Sequence, residues 1–315
     1  MIYRKEVDGF NWILNVSDGG IGATLYNAKS PGKDYNFARE SVFMQLLDTT
    51  IKEGMTCIDL GANIGYATMF MLRNVGDSGT VYAIEPDPHN LRMLKINLAE
   101  NGYNVKCEKT QCLISDKDGK NEFWIARHPN LNSVKKTKHS IRREIIDCFT
   151  LETFCSTRKY PNFIKMDIEG HEVNVFEGAY NYFKENDGET HILLEVHPQY
   201  YDENNDFAAI LEKYYDIGFK IKYLVSTPVQ SPAPFINRGY KPITMGTLSD
   251  SGKTFNAVRT DGWVRQIYEN VKKEDAIELT CKLQPPFYKV QRPGTNWETK
   301  GGKVVRSIMV SREKQ

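Results

Sequence analysis

The sequence predicts an α/β fold with a mostly parallel sheet, on three observations. From residue 55 onward, short apolar runs alternate with stretches of helical periodicity, as strands joined by crossover helices do. A glycine turn follows the first of those runs directly and opens a helix. Of the 315 residues, 40% are hydrophobic and 26% charged, a balance that supports a sizeable core and excludes a disordered, collagen-like or coiled-coil chain.

Residues 1–52 read as an N-terminal lid and helical extension. Within it, 20–37 is rich in Gly, Asn, Ser and Pro and reads as a loop or lid, while 38–52 is an amphipathic helix whose Phe43, Leu46, Leu47 and Thr50 face packs on the sheet. Strands are expected at 55–60, 80–85, 104–109, 121–126, 163–167, 191–196 and 219–225, with 121–126 as an edge or accessory strand. Helices fall between them at 65–74, 88–101, 145–156, 170–184 and 205–217. Asp87 before Pro88 is an N-cap and first-turn signal, because the amide that proline lacks has no helical partner there. Gly102 and Gly218 fit left-handed helix stops. Beyond 225 come a Pro-rich turn, a polar Gly/Ser stretch near 246–254, a helix at about 261–280 and a last strand at 304–312. If that strand pairs with 219–225, then 226–303 is an insertion into the 53–225 core, and 304–315 is the final core strand and tail.

Lys plus Arg is 41 against 40 for Asp plus Glu, which excludes a chain that is basic all over. The average hides an asymmetry: residues 226–315 hold 15 basic and 8 acidic side chains, leaving 26 and 32 for 1–225, so the two parts carry +7 and −6. The six cysteines form no CxxC pair and several sit in apolar runs, so buried free thiols in a reducing compartment are expected. The first 20 residues lack an apolar leader core, and the longest apolar stretch, 66–72, is too short to span a bilayer. A cytoplasmic location is the expectation.

The chemistry concentrates at strand ends. Asp59-Leu60-Gly61-Ala62-Asn63-Ile64-Gly65 places a glycine turn between the first core strand and its helix, where unsatisfied amides suit a carboxylate or phosphate. The Gly-x-x-x-Gly spacing fails the dinucleotide fingerprint and makes no P-loop. The next strand ends in Glu85, beside that turn, where a carboxylate accepts two hydrogen bonds from a ribose diol. Together these select an adenosyl ligand.

Asp59-Leu-Gly-Ala-Asn-Ile-Gly65, Glu85-Pro86 and Lys165-Met-Asp167-Ile-Glu169-Gly170-His-Glu172, followed by Phe176-Glu-Gly178-Ala, resemble the FkbM-type family of class I S-adenosylmethionine-dependent methyltransferases, over roughly residues 38–225. The resemblance implies a Rossmann-like, mostly parallel seven-stranded sheet with helices on both faces. It implies methyl transfer, usually to oxygen, on a sugar, glycan or other hydroxylated small metabolite. S-adenosyl-L-methionine is then the cofactor, with its methionine end near Gly61, Asn63 and Gly65, its ribose on Glu85, and Asp59 supporting either the turn or the methionine ammonium. Ser115 and Asp116 lie where related enzymes often contact the adenine, although an Asp-Gly turn from Asp116 to Gly119 explains them equally well.

Asp167, Glu169, Glu172, Glu195 and His197 come from two strand ends that open on one crevice. So many like charges need a compensating cation or a hydrogen-bond network. His197 is expected as general base, since an ordinary imidazole titrates near working pH; Asp167 is the rival base or holds the cofactor and acceptor hydroxyl, and Glu169 is a further catalytic candidate. Glu172 has an alternative as a helix first-turn residue. A divalent Mg²⁺ or Mn²⁺ on Asp167, Glu195 and His197 is possible but not the favoured reading. His171 and His191 are expected to be structural.

The PPFY at 285–288 is similar to a motif of amino-methylating DNA enzymes, but its place in the fold is taken by the Asp167 segment. Lys135, Lys136, Lys138, His139, Arg142 and Arg143 read as a solvated face. Aromatic and basic residues interleave through 235–297, which suits sugar or nucleic-acid stacking alike. Two alternatives therefore stand beside a small acceptor: a nucleic-acid or protein methyltransferase using the basic region, and a non-catalytic cofactor-binding protein.

Overall fold

The computed structural model describes residues 1–17, 19–28, 41–227, 233–243, 245–247, 254–256, 259–260, 263–264, 266–283 and 303–314. The chain opens with a hairpin, β1 (Ile2–Val7) and β2 (Phe10–Asn15), then α1 (Ile21–Asn27) and α2 (Ser41–Thr50). The core follows as β3 (Thr56–Leu60), α3 (Tyr66–Val75), β4 (Thr80–Ile84), α4 (Pro88–Glu100) and β5 (Cys107–Thr110). Next come β6 (Leu113–Ile114), β7 (Gly119–Ala126), β8 (Ser140–Phe149) and α5 (Leu151–Cys155). The core resumes with β9 (Phe163–Met166), α6 (Glu172–Glu185), β10 (Thr190–Glu195), α7 (Phe207–Asp216) and β11 (Lys220–Ser226). After α8 (Ala233–Ile236) lie two small antiparallel pairs, β12 (Met245–Thr247) with β13 (Thr254–Asn256) and β14 (Arg259–Thr260) with β15 (Trp263–Val264). The described chain ends in β16 (Ile267–Glu269), α9 (Lys273–Cys281) and β17 (Val305–Arg312).

The main sheet has eight strands in the order β16-β11-β17-β10-β9-β3-β4-β5. β10, β9, β3, β4 and β5 are parallel neighbours; β17 runs antiparallel between β10 and β11, and β16 is antiparallel to β11. The expected seven-stranded sheet is thus corrected to a mixed sheet of eight, because the late segment at 267–269 adds an edge strand. The last strand does pair with 220–226, so the chain between them is inserted between two adjacent antiparallel strands.

Side-chain alternation sends successive residues to opposite cores. Cys57, Val81 and Leu193 pack under α2, α3 and the hairpin, whereas Ile58, Tyr82 and Ile192 pack under α5, α6 and α7. Five of the six cysteines are buried and Cys281 is half-buried; all six are free thiols. Asp87 caps α4 by accepting from the His89 amide, and Asp206 caps α7 by accepting from Ala209. Among the described residues, no helix is long and apolar enough to cross a membrane.

Several elements differ from the sequence reading. The expected helix at 145–156 is the end of β8 followed by the short α5: Ile146 and Cys148 alternate inward, and Thr150 then caps a new helix. Residues 121–126, by contrast, form the accessory strand expected, in a separate sheet β6-β8-β7. The expected loop at 20–37 contains α1, with 29–40 outside the described residues, and 1–52 also holds an unforeseen hairpin. The helix expected at about 261–280 is confined to α9, and PPFY at 285–288 lies outside the described residues.

Candidate active site

Parallel strands stop at one edge of the sheet, and the loops there enclose a cavity of about 400 Å³. Its wall includes Gly61, Ala62, Asn63 and Tyr66 after β3, Glu85 and Pro86 after β4, and Asp167, Ile168 and Glu169 after β9. His197 and Gln199 follow β10, Lys303 and Arg306 belong to the closing strand and its approach, and Ile21, Phe43 and Met44 come from the N-terminal helices. The volume suits a cofactor-sized molecule.

Glu85 is buried, and each of its oxygens accepts one backbone N–H: Oε2 from Asn63 at 2.7 Å and Oε1 from Asp87 at 2.9 Å. Each oxygen keeps a second lone pair, so the carboxylate can still accept from a diol. Burial pushes its pKa up to about 7 against the pull of those two amides. Pro86, Cys112, Leu113 and Ile114 give an apolar wall nearby. A buried acceptor for a ribose, an apolar face for a base and an adequate volume fit an adenosyl cofactor.

The turn itself is braced from below. Asp59 does not line the cavity; it is fully buried, 2.6 Å from the Thr68 hydroxyl and 3.0 Å from Lys165 Nζ. Lys165 also donates to the carbonyls of Gly61 and Leu60 at 2.8 and 3.3 Å. Of the two places expected for Asp59, its contacts are those of the turn's support. Gly61, at φ +74°, allows a close approach to the protein's own backbone: a Cβ there would lie 2.2 Å from the Asp167 carbonyl oxygen. Gly65 is likewise packed on Leu94 and lies outside the cavity wall. Asn63 lines the cavity in the left-handed region, with its Oδ1 accepting from Ile64.

Ser115 and Asp116 also lie off the wall. Ser115 Oγ donates to Asp116 and pairs with His171 Nε2, and its carbonyl sits where α6 needs Gly178. In place of Ser115 and Asp116, the residues of this segment that line the cavity are Cys112, Leu113 and Ile114. Burial pushes His171 down to about 4, and its ring bonds Ser115 and also lines the cavity, whereas His191 lies off the wall and bonds Ser311 and Glu189.

The carboxylate cluster assembles around His197. Its Nδ1 lies 2.7 Å from Glu172 Oε1, and its Nε2 lies 3.4 Å from Glu169 Oε2 and 3.6 Å from Glu195 Oε1. Burial works against the charged imidazole, but the Glu172 hydrogen bond and the carboxylates of Glu172, Glu195 and Glu169 prevail and raise it to about 9. Three carboxylates thus favour the protonated ring, which suits His197 less to the general-base role expected from the sequence. Glu169 moves to about 7, chiefly by burial and then by the Asp167 charge, which places it at the working range of a general base. Asp167 lines the cavity beside it.

Glu195 accepts from Arg306 at 2.7 Å and from Lys303 at 2.8 Å. The cations expected to offset the carboxylates are therefore protein side chains, and among the described residues no group of three His, Cys, Asp or Glu is arranged to hold a metal. The Mg²⁺ or Mn²⁺ site on Asp167, Glu195 and His197 is not supported. Sequence reasoning quoted Lys165 only as part of the motif and gave it no role, although a lysine inside the apolar run Phe163–Met166 signals a buried ion pair. Lys303 and Arg306 carry no local signal, because only the return of β17 beside β10 brings them to the site.

The family model for the methyltransferase FkbM domain matches residues 59–221. No curated protein matches the chain. Among solved structures, methyltransferase FkbM from Methylobacillus flagellatus KT is 15% identical with a TM-score of 0.38, covering 76% of this chain and 55% of that one. The chain thus spans about half the length of that relative. A SAM-dependent O-methyltransferase from Thermotoga maritima is 17% identical with a TM-score of 0.39, covering 86% and 78%. An O-methyltransferase from Bacillus cereus in complex with SAH is 13% identical with a TM-score of 0.38, covering 77% and 84%.

Proposed function

This chain belongs to the methyltransferase FkbM domain family, and on that premise we propose that it transfers a methyl group from S-adenosylmethionine to a hydroxyl oxygen of a sugar, glycan or other small metabolite. The observation that carries the reading is one cavity lined both by Glu85, a buried diol acceptor, and by Glu169, a carboxyl poised near neutrality. When bound, the cofactor supplies a methyl group already activated by its sulfonium.

Glu85 would hold the ribose, Asn63 and the turn before Tyr66 would receive the methionine end, and Asp167 lines the same cavity beside the acceptor's place. Glu169 would take the hydroxyl proton as the acceptor oxygen bonds the methyl carbon and the methyl–sulfur bond breaks, its electron pair leaving with sulfur as a neutral thioether, and His197 lies where it steadies the Glu169 carboxylate. The cations in the wall already face carboxylates: Lys303 and Arg306 on Glu195, His197 on Glu172, Lys165 on Asp59. Asp167 and Glu169 add negative charge, which favours an uncharged polyol over a phosphorylated or polymeric anion.

The test is transfer of labelled methyl from S-adenosylmethionine to panels of sugars, glycans, nucleic acids and proteins, with the product located by mass spectrometry. We expect a methyl ether on a hydroxylated small acceptor. Glu169→Gln is expected to lower turnover by about 10²–10⁴-fold while leaving affinity for S-adenosylhomocysteine unchanged. Methylation confined to RNA, DNA or protein would overturn the acceptor class; labelled cofactor bound with no product in any panel would favour a binding protein.

A further inference from the structure

The hairpin at residues 2–15 lies outside the matched family segment, yet it reaches the loop that lines the cavity. Its turn, Asp8-Gly9, has both residues at positive φ, 55° and 80°, the geometry of a tight two-residue hairpin connection. That turn points Asp8 Oδ2 at the Tyr66 hydroxyl, 2.6 Å away. Tyr66 is the first residue of α3 and part of the cavity wall. The indole of Trp12, fully buried, packs against the Tyr66 ring at 5.9 Å, and Phe10 meets Phe70 edge-on at 5.1 Å.

A second link runs through α4. The Ile13 amide of β2 donates to Asn97 Oδ1 at 2.8 Å, and Asn97 Nδ2 donates to the Ile64 carbonyl at 3.0 Å. Asn97 is completely buried, and its bond to Ile64 is sheltered from water. Ile64 sits between Asn63, whose amide holds Glu85, and Tyr66. The hairpin therefore grips both ends of the short segment 64–66, one end by a side chain and the other through an intermediate asparagine.

We propose that the N-terminal hairpin is a working part of the cofactor site, with Asp8 and Asn97 as positioning residues that hold Ile64 and Tyr66 in the ligand-ready arrangement. The inference rests on the reading that this cavity takes the adenosyl cofactor. A loop left to fluctuate must be ordered when ligand binds, which lowers affinity; a loop already held does not carry that cost.

The experiment is calorimetric titration of the full chain with S-adenosylhomocysteine, alongside hydrogen exchange of the 61–66 amides without ligand. Tyr66→Phe keeps the ring and removes the hydroxyl that donates to Asp8. It is expected to weaken binding by about tenfold, to speed exchange of those amides and to leave the thermal midpoint almost unmoved. Asp8→Ala is expected to weaken binding and speed exchange in the same way, with an added loss of stability because alanine is strained at φ 55°, whereas Asp8→Asn restores wild-type affinity because asparagine tolerates the left-handed turn and still accepts from the phenol. Wild-type binding with unaltered affinity and exchange in Tyr66→Phe and Asp8→Ala would overturn the inference alone. A wild-type chain that does not bind the compound would remove the cofactor reading and this inference with it.

Discussion

A histidine faced by three carboxylates stays charged, and this decides what His197 can do. Its folded value of about 9 lies above the ordinary unfolded value of ~6.5. The native state therefore binds the extra proton between those limits. The contribution to stability is complete below ~6.5 and is lost as pH rises through about 9. Glu172→Gln removes the carboxylate nearest the ring, so the stability gap between wild type and variant is expected to shrink as pH goes from ~6.5 to about 9. Urea denaturation across that range measures it, and a constant gap would show that His197 is not held protonated by Glu172. At this scale Glu85, Asp167, Glu169 and the glycine turn were legible, because residue type and place after a strand define them. The charge state of His197 was not, since it depends on Glu172 and Glu195 arriving from two elements.

At the scale of elements, the parallel strands, α2, α4 and α7 were readable from periodicity and caps. The hairpin was not read as strands: its outward positions mix Ile2, Arg4 and Glu6, and its inward Phe10, Trp12 and Leu14 find their partners on α3 and α4. The corner between β9 and α6 is similarly non-local. Glu169 sits at φ 49°, with its carbonyl accepting from Ser133 Oγ at 3.0 Å and the next amide donating to Glu172. The closing strand shows the same dependence at its far end. Arg312 of β17 is buried and donates to the carbonyls of Phe183 at 2.6 Å and Gly188 at 3.1 Å, and to the Tyr160 hydroxyl at 3.0 Å. A cation so placed complements the carboxyl end of α6. Arg312→Met is expected to lower stability by roughly 3 kcal/mol, since it strands several buried acceptors. Cofactor affinity is expected to hold, because Arg312 is absent from the cavity wall. Equilibrium unfolding paired with titration checks both halves, and a loss of affinity without loss of stability would contradict this assignment.

Across the whole molecule, sheet order does the assembling. β3 lies between β4 and β9, so the turn after β3 has Glu85 on one side and Asp167 on the other. β10 carries Glu195 and leads to His197, and β17 returns from an insertion to bring Lys303 and Arg306 onto Glu195. The basic character of 226–315 thus reaches the site as charge compensation at these two residues. The sequence pattern revealed that a late strand closes the sheet, but the added edge strand β16 was beyond it, being three residues long within an irregular stretch.

The central claim is that the cavity at this sheet edge receives the adenosyl cofactor with its ribose on Glu85. The most direct measurement is a crystal structure of the full chain grown with saturating S-adenosylhomocysteine. The account predicts ligand density in that cavity with both ribose hydroxyls on the Glu85 carboxylate; density at another place, or an empty cavity at saturation, would contradict it.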